Sequence, residues 1–125
     1  MSKTAIVVFA DPKPGTDEAF GRLSNALILT SDLKQRGEEV ALVFQGAGTR
    51  WAAEVTKADH PMHGLFRSVE DKFAGVCNAC AAAYDTLNEA EASGLPVTGD
   101  FMVPGIGRLI SLGEYITKGY QIVLF

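Results

Sequence analysis

The chain has 125 residues, a formal net charge of −4 and 47% apolar side chains, a size and composition that bury one core and exclude disorder. It contains no Lys/Arg run to serve an extended nucleic-acid or anionic-membrane surface, and no apolar stretch of the ~20 residues a membrane span requires. The two cysteines stand three apart with no export signal ahead of them, which points to thiol chemistry in a reducing, cytoplasmic setting.

Ala5 to Phe9 is a continuous apolar, β-rich run, as in a parallel strand covered on both faces. It turns polar at Asp11, Pro12 and Lys13, too abruptly for a signal peptide. Thr16 or Asp17 caps a predicted helix running to about Arg36, with Phe20, Leu23, Leu27 and Ser31 on one line and Ala26, Leu29 and Leu33 widening it. Gly37 stops it. Val40 to Phe44 reads as a second buried strand, ending at Gly46-Ala47-Gly48-Thr49. That glycine pair lacks the third glycine of a dinucleotide fingerprint, since Trp51 stands there, and so reads as a tight strand-to-helix turn. Gly46 and Gly48 are retained as candidate anion-binding positions.

Arg50 to Lys57 begins a helix that Ala58 to Gly64 interrupts, and Leu65 to Lys72 continues as a shorter one. His60 and His63 have a metal-ligand spacing, but Pro61 between them opposes a shared helical face and no further ligand is evident, so no metal is expected. Phe73 to Val76 is the third strand, and a helix is predicted from Asn78 to about Ala92. Ser93 to Asp100 shows no period, Phe101 to Val103 suggests an edge strand, and Ile106 to Ile116 has a helical spacing before the closing strand Tyr120 to Phe125. Five alternations of strand and helix imply one α/β domain, 1–125, with a parallel or mostly parallel five-stranded sheet and helices on both faces. Reactive loops lie at the carboxyl ends of such strands, so Cys77, the 11–16 loop and the 46–50 loop are expected to converge.

Cys77 falls at or just before the first residue of the predicted fourth helix, where free N–H groups favour a thiolate. Counting from Cys80 reaches Ala83, Tyr84 and Leu87, which places Cys80 on the stripe facing the core. Cys77 is therefore expected to be the accessible nucleophile and Cys80 an accessory or packing residue, with the Asn78 and Ala79 amides as anion donors.

The chain resembles the DsrE/DsrF-like family, which includes TusD-type sulfur-relay subunits and YchN-like proteins. The resemblance lies in Ile6 to Phe9, Leu33 to Gly37, Phe44 to Gly48, His60 to Leu65, Val103 to Leu109 with Gly119-Tyr120, and most specifically Gly75-Val76-Cys77-Asn78-Ala79-Cys80. It implies a three-layer, flavodoxin-resembling fold and a trimeric or hexameric assembly. It also implies that Cys77 carries sulfur as a persulfide between donor and acceptor proteins, without a cofactor. Two other readings stand beside this one. Cys77 and Cys80 suit dithiol redox chemistry, and two buried cysteines suit a binding module with no reaction.

Overall fold

Lys3–Val8 (β1) and Glu39–Phe44 (β2) form the centre of a parallel sheet, in register from Lys3 opposite Glu39 to Val8 opposite Phe44. In this computed structural model, which describes residues 1–125, Phe73–Cys77 (β3) pairs with β2, Val97–Thr98 (β4) with β3, and Gln121–Leu124 (β7) with the far side of β1. The order is β4-β3-β2-β1-β7, all parallel. Thr4 to Val8 are buried without a break, which is why β1 reads as an apolar run rather than an alternating one.

Asp17–Gln35 (α1) begins where the Thr16 hydroxyl accepts a hydrogen bond from the Ala19 amide at 3.1 Å and ends before Gly37, whose φ is 74°. Its buried stripe is Ala19, Leu23, Ala26, Leu27 and Thr30. Phe20, expected on that stripe, lies over His60 with ring centres 6.2 Å apart. Thr16→Ala should cost about 1 kcal/mol, read as a lower denaturation midpoint at unchanged slope. On the same sheet face, Trp51–Val55 (α2) and His63–Val69 (α3) close the core with Trp51, Ala52, Val55, Phe66 and Val69. Phe44 packs edge-on to Phe73 at 4.9 Å, and Phe66 edge-on to Phe73 at 5.6 Å.

Three predicted elements are corrected by the structure. The helix expected from Asn78 to Ala92 is two, Asn78–Ala83 (α4) and Leu87–Ala92 (α5). Asp85 takes a left-handed φ of 55°, while the Asp85 amide bonds Ala82 O at 3.2 Å and the Thr86 amide bonds Ala81 O at 2.8 Å, a Schellman stop. The edge of the sheet is β4, not Phe101 to Val103. Phe101–Val103 (β5) instead pairs antiparallel with Gly107–Leu109 (β6) in a separate hairpin. Its turn has Pro104 followed by Gly105 at φ 83° and closes with Ile106 N to Val103 O at 3.0 Å, the type II preference. The last helix, Leu112–Thr117 (α6), therefore starts late, capped by the Ser111 hydroxyl accepting from the Glu114 amide at 3.0 Å. The hairpin and α6 form the third layer.

Candidate functional site

Cys77 is both the last residue of β3 and the N-cap of α4. Its side chain is completely buried, whereas Cys80 is half-buried, the reverse of the expected arrangement. The reason is the length of α4. With only six residues it buries Ala79 and Ala81, Tyr84 is exposed, and Leu87 belongs to α5, so the helical count from Cys80 runs past the end of its own helix. Cys77 continues the sheet face that bears Gly75, and the 107–110 segment roofs it. A Cβ on Gly107 would meet the Ala79 Cβ at 3.4 Å, and the Gln45 side-chain amide holds the Ile110 carbonyl at 2.9 Å.

The two thiols are unequal. The neighbouring Cys80 side chain is the largest influence on Cys77; burial opposes it, and the backbone amides of Cys80, Ile110 and Ala79 reinforce it, bringing the Cys77 pKa down to about 6. Cys77 makes no capping hydrogen bond to α4, so these groups act electrostatically on the ionised sulfur rather than hold the helix end. Cys80 is pushed up by the Cys77 side chain and by burial, against the Gly46 amide. The proton of the pair therefore rests on Cys80. A free cysteine is only about 3% thiolate at pH 7, and at a pKa near 6 Cys77 is about 90% thiolate.

This arrangement couples folding to pH. Stability from Cys77 is fully present above the ordinary thiol value of about 8.5 and is lost as pH falls through about 6, because the unfolded chain then binds the extra proton. Cys80 acts oppositely, keeping its proton in the fold and reducing stability as pH rises beyond about 8.5. The difference in denaturation midpoint between the native chain and the Cys77→Ala/Cys80→Ala pair should thus widen from about pH 6 to 8.5 and narrow above. A difference constant with pH would refute the unequal pair.

Of the other predicted site residues, Ala79 contributes its amide to Cys77 and Gly46 its amide to Cys80, while Asn78 is half-buried at the first position of α4. The Gly48 amide is committed to Gln45 O at 2.9 Å. Gly48 serves by its lack of a side chain: a Cβ there would lie 2.0 Å from Val8 O. Gln45 and Ile110 were not legible as site residues. A buried glutamine at the end of an apolar strand is the one signal the sequence offered, and Ile110 was hidden in the false helical spacing of 106 to 116. The 11–16 and 46–50 loops meet each other at the far end of α4, at Tyr84 and not at Cys77. Arg50 Nη1 lies 2.9 Å from Asp11, Arg50 Nη2 donates to Tyr84 O at 3.1 Å, and the guanidinium stands 5.5 Å over the Tyr84 ring.

His60 and His63 lie elsewhere. His60 faces Phe20 and Trp51 and accepts from the Met62 amide at 3.1 Å, and His63 Nδ1 is 2.8 Å from Val55 O. No three His, Cys, Asp or Glu residues come together as a metal would need. A cavity of about 270 Å³ between Thr98, Asp100, Ser111, Tyr115 and Tyr120 shares Ile110 with the site but is lined by neither cysteine.

Fold and site together define a parallel α/β domain with a Cys-x-x-Cys turn at the carboxyl end of its third strand. The DsrE/DsrF-like family model matches residues 3–125, and the chain belongs to that family. An uncharacterized protein of Methanocaldococcus jannaschii is 30% identical over 101 residues, 81% of this chain and 78% of its own. Among solved structures, a conserved protein of unknown function from Bacteroides thetaiotaomicron is similar with a TM-score of 0.62 at 16% identity, over 98% of this chain and 95% of that one, a likeness of fold. No helix is long and apolar enough to cross a membrane.

Proposed function

We propose that this protein is a cytoplasmic sulfur carrier whose Cys77 accepts sulfane sulfur as a persulfide and passes it to a partner thiol. The observation that carries the reading is the placement of Cys77 at the carboxyl end of β3 and the N-cap of α4, one helical turn from Cys80, a setting in which the Cys80 side chain and the backbone amides of Cys80, Ile110 and Ala79 lower its pKa. In loading, the Cys77 thiolate attacks the outer sulfur of a donor persulfide; the new S–S bond forms as the donor S–S bond breaks, and the donor leaves as a thiolate. In transfer, an acceptor thiolate attacks the outer sulfur and Cys77 leaves as a thiolate. Both steps exchange one anion for another, so neither needs a base or an external oxidant.

Because Cys77 is covered, transfer to another protein requires the 107–110 segment that roofs it, and with it the β5–β6 hairpin, to move aside. That hairpin carries exposed Phe101, Met102 and Ile106, and the edge strand β7 exposes Leu124. These apolar surfaces support a homo-oligomer, trimer or hexamer, and docking of donor and acceptor proteins. Dithiol redox chemistry is the second reading, favoured by Cys80 lying one helical turn from Cys77.

Intact mass spectrometry after incubation with polysulfide tests the proposal. The native chain and Cys80→Ser should each gain one reductant-labile sulfur, and Cys77→Ser none. A loss of two hydrogens with no sulfur ever gained would favour the redox reading, and no change in any variant a binding module without a reaction.

A further inference from the structure

A sulfur atom loaded on Cys77 would sit under the hairpin, where the side chain it extends has no exposed surface. An outside thiol cannot reach it while the hairpin is down. The chain has two cysteines, so one thiol can, and it lies one helical turn away on α4, half-buried where Cys77 is fully buried. Residues three apart on a helix bring their Cβ atoms to about 5–6 Å, and the N-cap position, not yet helical, can close further toward the roughly 3.5–4.5 Å of a disulfide. Cys77 has the extended φ of −65° and ψ of 122° of such a position.

We propose that Cys80 discharges the Cys77 persulfide, releasing hydrosulfide and leaving a Cys77–Cys80 disulfide. This rests on the carrier reading and adds a second outcome to it. The Cys80 sulfur attacks the inner sulfur, the Cys77 Sγ; the bond from Sγ to the outer sulfur breaks; and the Cys80 proton goes to the departing sulfur. Cys80–SH and Cys77–S–S⁻ thus become Cys77–S–S–Cys80 and HS⁻. The outer sulfur is reduced to the sulfide level as Cys80 is oxidised from thiol to disulfide, so the step needs no outside oxidant. Restoring both thiols takes a dithiol reductant.

The Cys80 proton is suited to this transfer. In the unloaded pair it is held on Cys80 chiefly by the Cys77 side chain. On loading, the negative charge moves to the outer sulfur, and passing the proton there leaves Cys80 a thiolate, the nucleophilic form, and lets the outer sulfur leave as hydrosulfide. Two fates then compete for the same persulfide. Opening of the hairpin to an acceptor yields transfer, and a closed hairpin yields sulfide. The protein would carry sulfur when a partner is docked and empty itself when none is.

The test is anaerobic, so that oxygen makes no disulfide. Native chain, Cys80→Ser and Cys80→Ala are reduced, loaded with polysulfide, freed of excess donor, and followed by intact mass and by hydrosulfide assay. The native chain should lose its sulfur with one hydrosulfide released per chain and finish two hydrogens lighter than the reduced protein. Both variants should hold the added sulfur at least about tenfold longer. Cys80→Ser keeps a hydroxyl donor facing Cys77 and Cys80→Ala does not, so retention in both assigns the effect to the missing nucleophile and not to altered ionisation. If the native chain holds its sulfur as long as the variants do, discharge is overturned and the carrier reading stands. If the variants never acquire sulfur, the carrier reading falls as well.

Discussion

Cys77→Ser is expected to abolish sulfur uptake, a loss of at least about a hundredfold in the rate of loading. A serine hydroxyl in the same place stays neutral, since three amides and one thiol donor that suffice to bring a thiol down to about pH 6 do not ionise an alcohol. Uptake by the native chain should accordingly rise with pH through about 6 and level off before neutrality. Cys80→Ala removes the largest stabilising group, and the midpoint should move upward. A complete return to the ordinary thiol value would leave about 1% thiolate at pH 6.5, against about three quarters now. The amides of Cys80, Ile110 and Ala79 survive that substitution, so the expected loss is several-fold and at most about seventyfold. Stopped-flow measurement of loading over a pH series reads all three chains. Undiminished uptake by Cys77→Ser would remove this cysteine from the chemistry, and a native profile with its midpoint near 8.5 would remove the amides and Cys80 from the account of it.

The parallel sheet was legible because its central strands are covered on both sides. Ala5 to Val8 and Val40 to Phe44 leave no polar position for an alternating pattern to occupy, and that pattern survives whatever packs on them. Helix α1 was legible for a related reason, being long enough to average its periodicity and capped by residues with one evident use. Short elements are where the reading failed. α4, with six residues, cannot show its period, and the count from Cys80 borrowed Leu87 from the next helix. That exchanged the buried and half-exposed cysteines. The 106 to 116 segment has apolar residues at helical intervals, yet Pro104-Gly105 commits the chain to a type II turn first, and the interval is filled by β6 and a cap. The candidate cysteines were thus located from local chemistry alone. Their environment depends on Gln45 and Ile110, which lie 65 positions apart and meet only through the fold.

Gly48→Ala should be the most damaging single methyl group that can be added near the site. The position has no left-handed backbone to excuse its glycine; the demand is for space. A Cβ would lie 2.0 Å from Val8 O, 2.7 Å from Val8 C and 3.2 Å from Phe9 Cα, all backbone of the central strand, and none is a flexible side-chain tip that could swing away. Val8 O is also the acceptor for the Gln45 amide at 3.1 Å, so retreat of β1 breaks the bond that aligns the start of the 46–50 turn. The cost should exceed about 4 kcal/mol, in the range reserved for severe overpacking. Gly64→Ala is the matched control, since nothing stands within 4 Å of its added methyl on α3, and it should be neutral or stabilising by up to about 1 kcal/mol. Denaturant unfolding of the two variants measures both numbers, and a Gly48→Ala chain within about 0.5 kcal/mol of native would disprove the close approach. If the variant folds at reduced stability, the relief must come from the 46–50 turn lifting off β1. The Gly46 amide would then leave Cys80 and Arg50 would leave Asp11 and the end of α4, so loading by Cys77 should change along with stability. A loss of stability with an unaltered loading profile would instead mean that the turn and the thiol pair are mechanically independent.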